Sequence, residues 1–351
     1  MSGERLLDVR DLRVAFATED GLVRAVDGVS FTLAGGEVLA VVGESGCGKS
    51  AMAMTLMGLT RSPNARFDGA ADFKGVDLVS ASEDELRRVR GAEIAMIFQD
   101  PMTSLNPVMK VGDQVIEQIQ EHEGMPRDDA RERAIDLLER VGIPRARERV
   151  DAYPFEFSGG MRQRVMIALA LSCNPAILIA DEPTTALDVT IQAQILERIR
   201  ELRDETGAAV ILVTHDLGVV ADVADRIAVM YAGRIVEQGT LDEIFYNPQH
   251  PYTWGLLGSI TRVDRPRRER LPAIAGLPPS LAHRPRGCHF RPRCPHEFAR
   301  CTETPPLEVR VGGEPGHEDR CWLPVEAKRE RREIEPGQIG LAPKRDVAER
   351  G

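Results

Sequence analysis

Three features of the sequence predict an α/β fold in which helices cover a parallel sheet. VLAVV at 38–42, AILIAD at 176–181 and AAVILVTH at 208–215 are apolar runs of strand length, the pattern of strands buried on both faces. Helical patterns separate them. AMAMTLMGL at 51–59 follows the first run, and between the last two Ile191, Ile195, Ile199 and Leu202 share one helical face that Asp188 can cap. A glycine-rich turn joins the first strand to its helix. Parallel strands need such crossovers, so this alternation argues for a parallel sheet.

In chain order, the N-terminal MSGERLLDVRDLRV carries acidic residues and no apolar stretch, unlike an export signal. VMIALALSC at 165–173, among the longest apolar runs, is far short of the ~20 residues that span a bilayer. A reducing cytosolic setting is the expectation that follows. Residues 1–255 hold the strand–helix alternation. Within them, about 100–172 read as a helical insert, because Ala134, Leu137, Leu138 and Val141 fall at i, i+3, i+4 and i+7. Composition changes near 262. Twelve of the 23 prolines lie in 248–316, and ten arginines against three acids make 262–300 carry +7 in a chain of net charge -10. An irregular extension over 256–327 is expected, then a polar, mobile tail over 328–351. The acidic balance excludes a protein whose whole surface grips nucleic acid, and no nucleic-acid partner is expected.

The glycine-rich turn fits G-x-x-x-x-G-K-[ST] with Gly43, Glu44, Ser45, Gly46, Cys47, Gly48, Lys49 and Ser50. Glycines let successive backbone N–H groups turn inward around phosphate oxygens, and the following helix adds its own N-terminal donors. Lys49 can reach the terminal phosphates and the Ser50 hydroxyl can ligate Mg²⁺. A second strand ends in Asp181, placed to hold Mg²⁺, and Glu182, placed to polarise the attacking water. At 157–164, FSGGMRQR precedes an apolar helix that Ser158 can cap; Gly159 and Gly160 then expose N–H groups suited to a second phosphate contact. One chain cannot easily use both sites on one triphosphate. Two chains can, with nucleotide sandwiched between the phosphate loop of one and the Ser158 segment of the other.

With these motifs in this order, the chain resembles the ATP-binding subunits of ABC transporters. The resemblance implies an ABC-type P-loop fold with a mixed sheet core, a helical insert subdomain and an irregular Cys-rich C-terminal extension. In that family Gln99 matches a loop that senses Mg²⁺ and the transmembrane partner, Asp188 belongs to the D-loop, and His215 contacts the γ-phosphate. Phe16 stands where the family stacks an aromatic ring on adenine. Met161 replaces the glutamine usual in the signature. Taken singly, a histidine after a strand or an isolated phenylalanine is more often structural; order and spacing favour the functional reading. Residues 97–107 and 181–190, with Asn247-Pro248 and His250-Pro251-Tyr252-Thr253, resemble the oligopeptide/dipeptide importer branch, and the cysteines its D-type subunits. That implies an ATPase powering peptide import on the cytoplasmic face of the cell membrane. Its partners would be a second, similar ATPase subunit, two transmembrane permease subunits and, indirectly, an extracellular solute-binding protein. An ABC ATPase outside transport and a redox-sensing subunit are the alternatives.

Cys288, Cys294, Cys301 and Cys321 are spaced x5, x6 and x19, which fits neither zinc C-x2–4-C pairs nor the bacterial ferredoxin run. By themselves they leave open a [4Fe–4S] cluster, zinc with help from His283, His289, His296 or His317, and free buried thiols. The family resemblance implies the cluster. Cys47 and Cys173 read as non-ligating.

Overall fold

The computed structural model describes residues 4–19, 21–100, 104–183, 189–259, 274–310 and 316–332. In chain order the strands are β1 (Arg5–Thr18), β2 (Gly21–Ala34), β3 (Val38–Val42), β4 (Ala65–Phe73), β5 (Val76–Asp77), β6 (Ile94–Ile97), β7 (Ile177–Asp181), β8 (Ala209–Thr214), β9 (Arg226–Tyr231), β10 (Arg234–Thr240), β11 (Glu308–Val309) and β12 (Glu318–Asp319). They form two sheets.

The smaller sheet is antiparallel, in the order β2-β1-β4-β5. On β1, Leu7 and Val9 face the core, and so do Leu12 and Val14. Strict alternation would turn Leu12 outward. A register shift between Val9 and Leu12, with Asp11 at φ 47°, adds the residue that returns the apolar set to the core.

The larger sheet runs β11-β12-β10-β9-β3-β8-β7-β6. Its members β9, β3, β8, β7 and β6 are parallel to their neighbours, while β10, β12 and β11 are added antiparallel. The expected mixed sheet is therefore present. Every residue of β3, β7 and β8 is buried, which is why each reads as a continuous apolar run. Ile195 and Ile199 of the helix Val189–Thr206 are buried as their spacing predicts. Asp188, the proposed cap, lies outside the described residues.

The helical insert comprises Val111–Glu123, Arg127–Arg140, Ala146–Arg149 and Gly159–Leu171. Ala134, Leu137, Leu138 and Val141 are all buried, in one core with Val115, Ile119 and Met166. No helix among the described residues is long and apolar enough to cross a membrane.

Two of the expected boundary positions lie within helices. Residue 255 falls within the helix Pro251–Gly258, whose start explains the His-Pro-Tyr-Thr motif: His250 Nδ1 accepts from the Tyr252 N–H at 3.1 Å and Pro251 needs no donor partner. Burial pushes the His250 pKa down to about 3, so the ring stays neutral and keeps that acceptor. Residue 328, where a mobile tail was expected to begin, lies within the helix Val325–Arg331. Lys328 is fully buried there and donates to Asp319 at 2.7 Å, so a cation in a polar-looking run is a packed residue. The tail from 333 on lies outside the described residues. Nor is the extension detached from the sheet: β12 pairs with β10 through Glu237–Asp319 and Gln238–Glu318.

Candidate nucleotide site

Parallel strands place all their C-terminal ends on one sheet edge, where an open α/β fold carries its ligand site. Here β3 leads into residues 43–50, β6 into Gln99, β7 into Glu182 and β8 into His215. The topological neighbours β3, β8, β7 and β6 thus gather residues from across the sequence.

The loop at 43–50 closes on the helix Lys49–Leu56, whose first turn no side chain caps. Gly48 sits at φ 107°, and a Cβ there would stand 2.1 Å from the Ala25 carbonyl oxygen. Only glycine fits. Gly48→Ala should weaken nucleotide binding roughly tenfold or more, because relieving strain of about 1–3 kcal/mol must distort the loop. Titration with a fluorescent ATP analogue checks this; unchanged affinity would contradict the proposed cradle. Lys49 is buried, its Nζ donating to the carbonyls of Gly43 at 2.7 Å and Glu44 at 3.2 Å. Those bonds hold the ammonium inside the loop it would share with phosphate. Cys47 is buried among apolar residues, and burial raises its pKa, consistent with a packed thiol.

The Ser50 hydroxyl donates to Asp181 Oδ1 at 3.0 Å. Burial raises the Asp181 pKa, the Ser50 hydrogen bond opposes the rise, and the neighbouring Glu182 charge adds to it. Two adjacent hard oxygen donors, one on a buried carboxylate, are the donor set that suits Mg²⁺. Glu182 has φ 47°, an uncommon conformation for a residue with a side chain, at the point where the chain leaves β7. Its Oε2 accepts from Gln99 Nε2 at 3.1 Å, and its Oε1 lies 3.3 Å from His215 Nδ1. The structure therefore joins Ser50 with Asp181 as a pair and Gln99, Glu182 and His215 as a triad, with Lys49 held by the carbonyls of its own loop.

Other expected site residues lie elsewhere. Ser158 caps the helix Gly159–Leu171 by accepting from the Met161 N–H at 3.3 Å; Ser158 and Gly159 are exposed and Gly160 is half-buried. These donors are open at the surface of the insert. Phe16 is half-buried on β1, packed beside the core of the smaller sheet. Asp188 lies outside the described residues. Gln163, to which the sequence alone assigned no task, is buried and donates to the Pro183 carbonyl at 2.7 Å, tying the signature helix to the turn after Glu182. Its place four residues into a capped helix offered no signal.

The four clustered cysteines line one small cavity of about 10 Å³ with Phe290, Trp322 and Leu323. Burial raises the pKa of Cys288, pushes that of Cys294 up to about 11, and that of Cys321 up to about 12. Metals bind thiolates, and here burial outweighs the backbone N–H groups and, at Cys321, the Lys328 charge that favour that form. Among the described residues, no group of three or more His, Cys, Asp or Glu side chains stands together as an ion's ligands would. The convergence of the thiols is present; the compact donor set expected for zinc or a cluster is not.

Residues 26–185 match the family model of the ABC transporters, and residues 236–301 match that of the oligopeptide/dipeptide transporter C-terminal region. The oligopeptide transport ATP-binding protein OppD of Salmonella typhimurium is 53% identical over 321 residues, covering 92% of this chain and 94% of the relative. The dipeptide transport ATP-binding protein DppD of Bacillus subtilis is 53% identical, covering 91% and 95%. Among solved structures, the dimeric MJ0796, a bacterial ABC transporter cassette, superposes with a TM-score of 0.61 at 27% identity, covering 67% of this chain and 99% of that one. The cbiO1 protein of Clostridium perfringens, part of an ABC transporter complex, gives 0.57 at 30% identity, covering 69% and 90%. With its phosphate loop, two acids, glutamine and histidine gathered on one sheet edge and relatives this similar along nearly its whole length, the chain belongs to the ABC transporter family, in its oligopeptide and dipeptide transport ATP-binding branch.

Proposed function

We propose that this protein is the ATP-hydrolysing subunit of a di- and oligopeptide importer, working on the cytoplasmic face of the cell membrane. The observation that carries the chemistry is the Gln99–Glu182–His215 triad beside the Ser50–Asp181 pair. The residues at 43–50 cradle the phosphates of ATP, and Lys49 exchanges its loop carbonyls for the terminal phosphates. Ser50 and Asp181 would hold Mg²⁺, with Gln99 close by; bound there, the ion neutralises phosphate charge. Glu182 polarises the attacking water, and His215, on the same carboxylate, meets the γ-phosphate.

The Ser158–Gly160 donors at the insert's surface suit the nucleotide of a facing ATPase subunit, Asp188 would serve that contact as the family's D-loop residue, and Phe16 would stack against adenine. That partner is a second, similar chain, so the site is completed in a heterodimer. Two transmembrane permease subunits take up the motion of closure, and an extracellular solute-binding protein delivers the peptide. The relatives are named for peptide transport, which favours this reading over an ABC ATPase with another task. Affinity purification of the full chain from solubilised membranes should recover two permease subunits and a second ATPase in stable association. Recovery of the chain alone, with no membrane protein at stoichiometric level, would contradict the assembly.

Cys288, Cys294, Cys301 and Cys321 would together hold a [4Fe–4S] cluster, with zinc as the alternative occupant. What supports the reading is that all four line one cavity; to hold a cluster the thiols would have to draw closer together than they stand here, and a cluster so held would supply a redox-active, thiolate-ligated cross-link. Anaerobically prepared protein should contain iron and acid-labile sulfide in about equal amounts, and Cys301→Ser should lose both. Zinc without iron would assign the site to zinc; neither metal would return the four residues to buried free thiols.

A further inference from the structure

The phosphate loop is held from outside by the C-terminal extension, and the holding residue is one of the arginines that in sequence looks like part of a solvated basic run. Arg293 has only 4% of its side chain exposed. Its guanidinium meets Glu44, the second residue of the loop, as a fork: Nη1 donates to Oε2 at 2.6 Å and Nη2 to Oε1 at 3.0 Å. The remaining donors are also used. Nε donates to the Ala275 carbonyl at 3.0 Å, Nη2 reaches the Ile274 carbonyl at 3.3 Å and Nη1 the Tyr231 hydroxyl at 3.4 Å. The same loop residue is gripped a second time, since the Glu44 N–H donates to the Tyr252 hydroxyl at 2.9 Å. Phe290, three residues before Arg293, packs against both Tyr231 and Tyr252, with ring centroids 5.3 and 5.4 Å away.

We propose that Arg293 is a positioning residue for ATP binding, acting through Glu44 to hold the phosphate loop in its nucleotide-ready shape. The inference rests on the assignment of residues 43–50 as the ATP site. The two carbonyls that Lys49 occupies are those of Gly43 and Glu44, on either side of the Glu44 Cα, so the residue fixed by Arg293 and Tyr252 is part of the cradle itself. A loop already ordered on its outer side loses less freedom when nucleotide enters. A bidentate arginine–carboxylate pair fixes orientation as well as charge, which lysine cannot reproduce. Coupling is reciprocal: nucleotide in the loop must steady the extension around Arg293, including the adjacent Cys294.

The test is MgATP binding by the full-length chain, measured calorimetrically for wild type, Arg293→Met, Glu44→Gln and the double variant. Each single change should weaken binding roughly tenfold, and the double variant should be no weaker than either alone. Arg293→Lys, which keeps the charge without the fork, should fall between, and it serves if the methionine variant fails to fold. In the assembled transporter the effect should appear in KM for ATP far more than in kcat. ATP should also slow amide exchange across residues 288–301 in wild type and not in Arg293→Met. Wild-type affinity in a variant that only melts earlier would reduce Arg293 to a structural residue and overturn the proposal, as would independent, multiplying effects in the double variant. Failure of wild type to bind ATP would instead remove the nucleotide site itself, and this inference with it.

Discussion

Glu182→Gln should lower ATP turnover by on the order of a hundred- to ten-thousand-fold while leaving ATP bound, the range over which a positioned general base contributes. The substitution is close to isosteric and keeps an acceptor oxygen, so the strained turn at φ 47° and the hydrogen bond from Gln99 can persist. What it removes is the negative charge that polarises water and draws on its proton. Neither described neighbour replaces that charge: Asp181 is committed to Ser50, and His215 sits on the same carboxylate. Phosphate release by the assembled complex, followed together with nucleotide retention, checks the prediction. Hydrolysis at the wild-type rate would move the base elsewhere.

Lys328→Met should destabilise the folded chain by about 3–5 kcal/mol, the usual cost of removing one partner from a buried ion pair. Lys328 and Asp319 have 0% and 1% of their side chains exposed, and the ammonium and carboxylate meet at 2.7 Å. Burial already raises the Asp319 pKa, and the Lys328 charge is the main influence lowering it. Without the lysine, Asp319 keeps, among the described residues, the Cys321 N–H at 2.8 Å and Arg310 at 3.6 Å. Acidification should narrow the difference between variant and wild type, because a protonated Asp319 no longer needs a cation. Urea unfolding of both proteins across pH reads this directly. A change within about 0.5 kcal/mol, typical of surface sites, would show that the helix Val325–Arg331 is not part of the cooperative fold.

Much of the ATPase body is legible before any coordinates. Apolar strands without alternation, the Gly-Lys-Ser turn and the i, i+3, i+4, i+7 pattern of Ala134 to Val141 are local signals, each produced by a geometry with a short period. The triad at Glu182 is legible because strand ends in a parallel sheet must converge, wherever their residues lie in the chain. The extension is harder to read. Its β12 has two residues and pairs on one side with β10, some 80 positions away, and on the other with the equally short β11, so no periodic pattern announces it. Arg293 and Lys328 look like solvated charges because sequence shows the charge and not the carboxylate folded against it. The cysteines illustrate the reverse case: clustered in sequence, they line one cavity, yet spacing alone cannot say how closely four sulfurs approach.

The central claim is that ATP split at Glu182 drives peptide across a membrane. It is tested most directly by measuring peptide accumulation and phosphate release together in proteoliposomes holding the assembled importer and its solute-binding protein. The expected result is ATP-dependent accumulation in step with phosphate release, with both lost in Glu182→Gln. Peptide accumulation that continues without ATP, or in the Glu182→Gln complex, would contradict it.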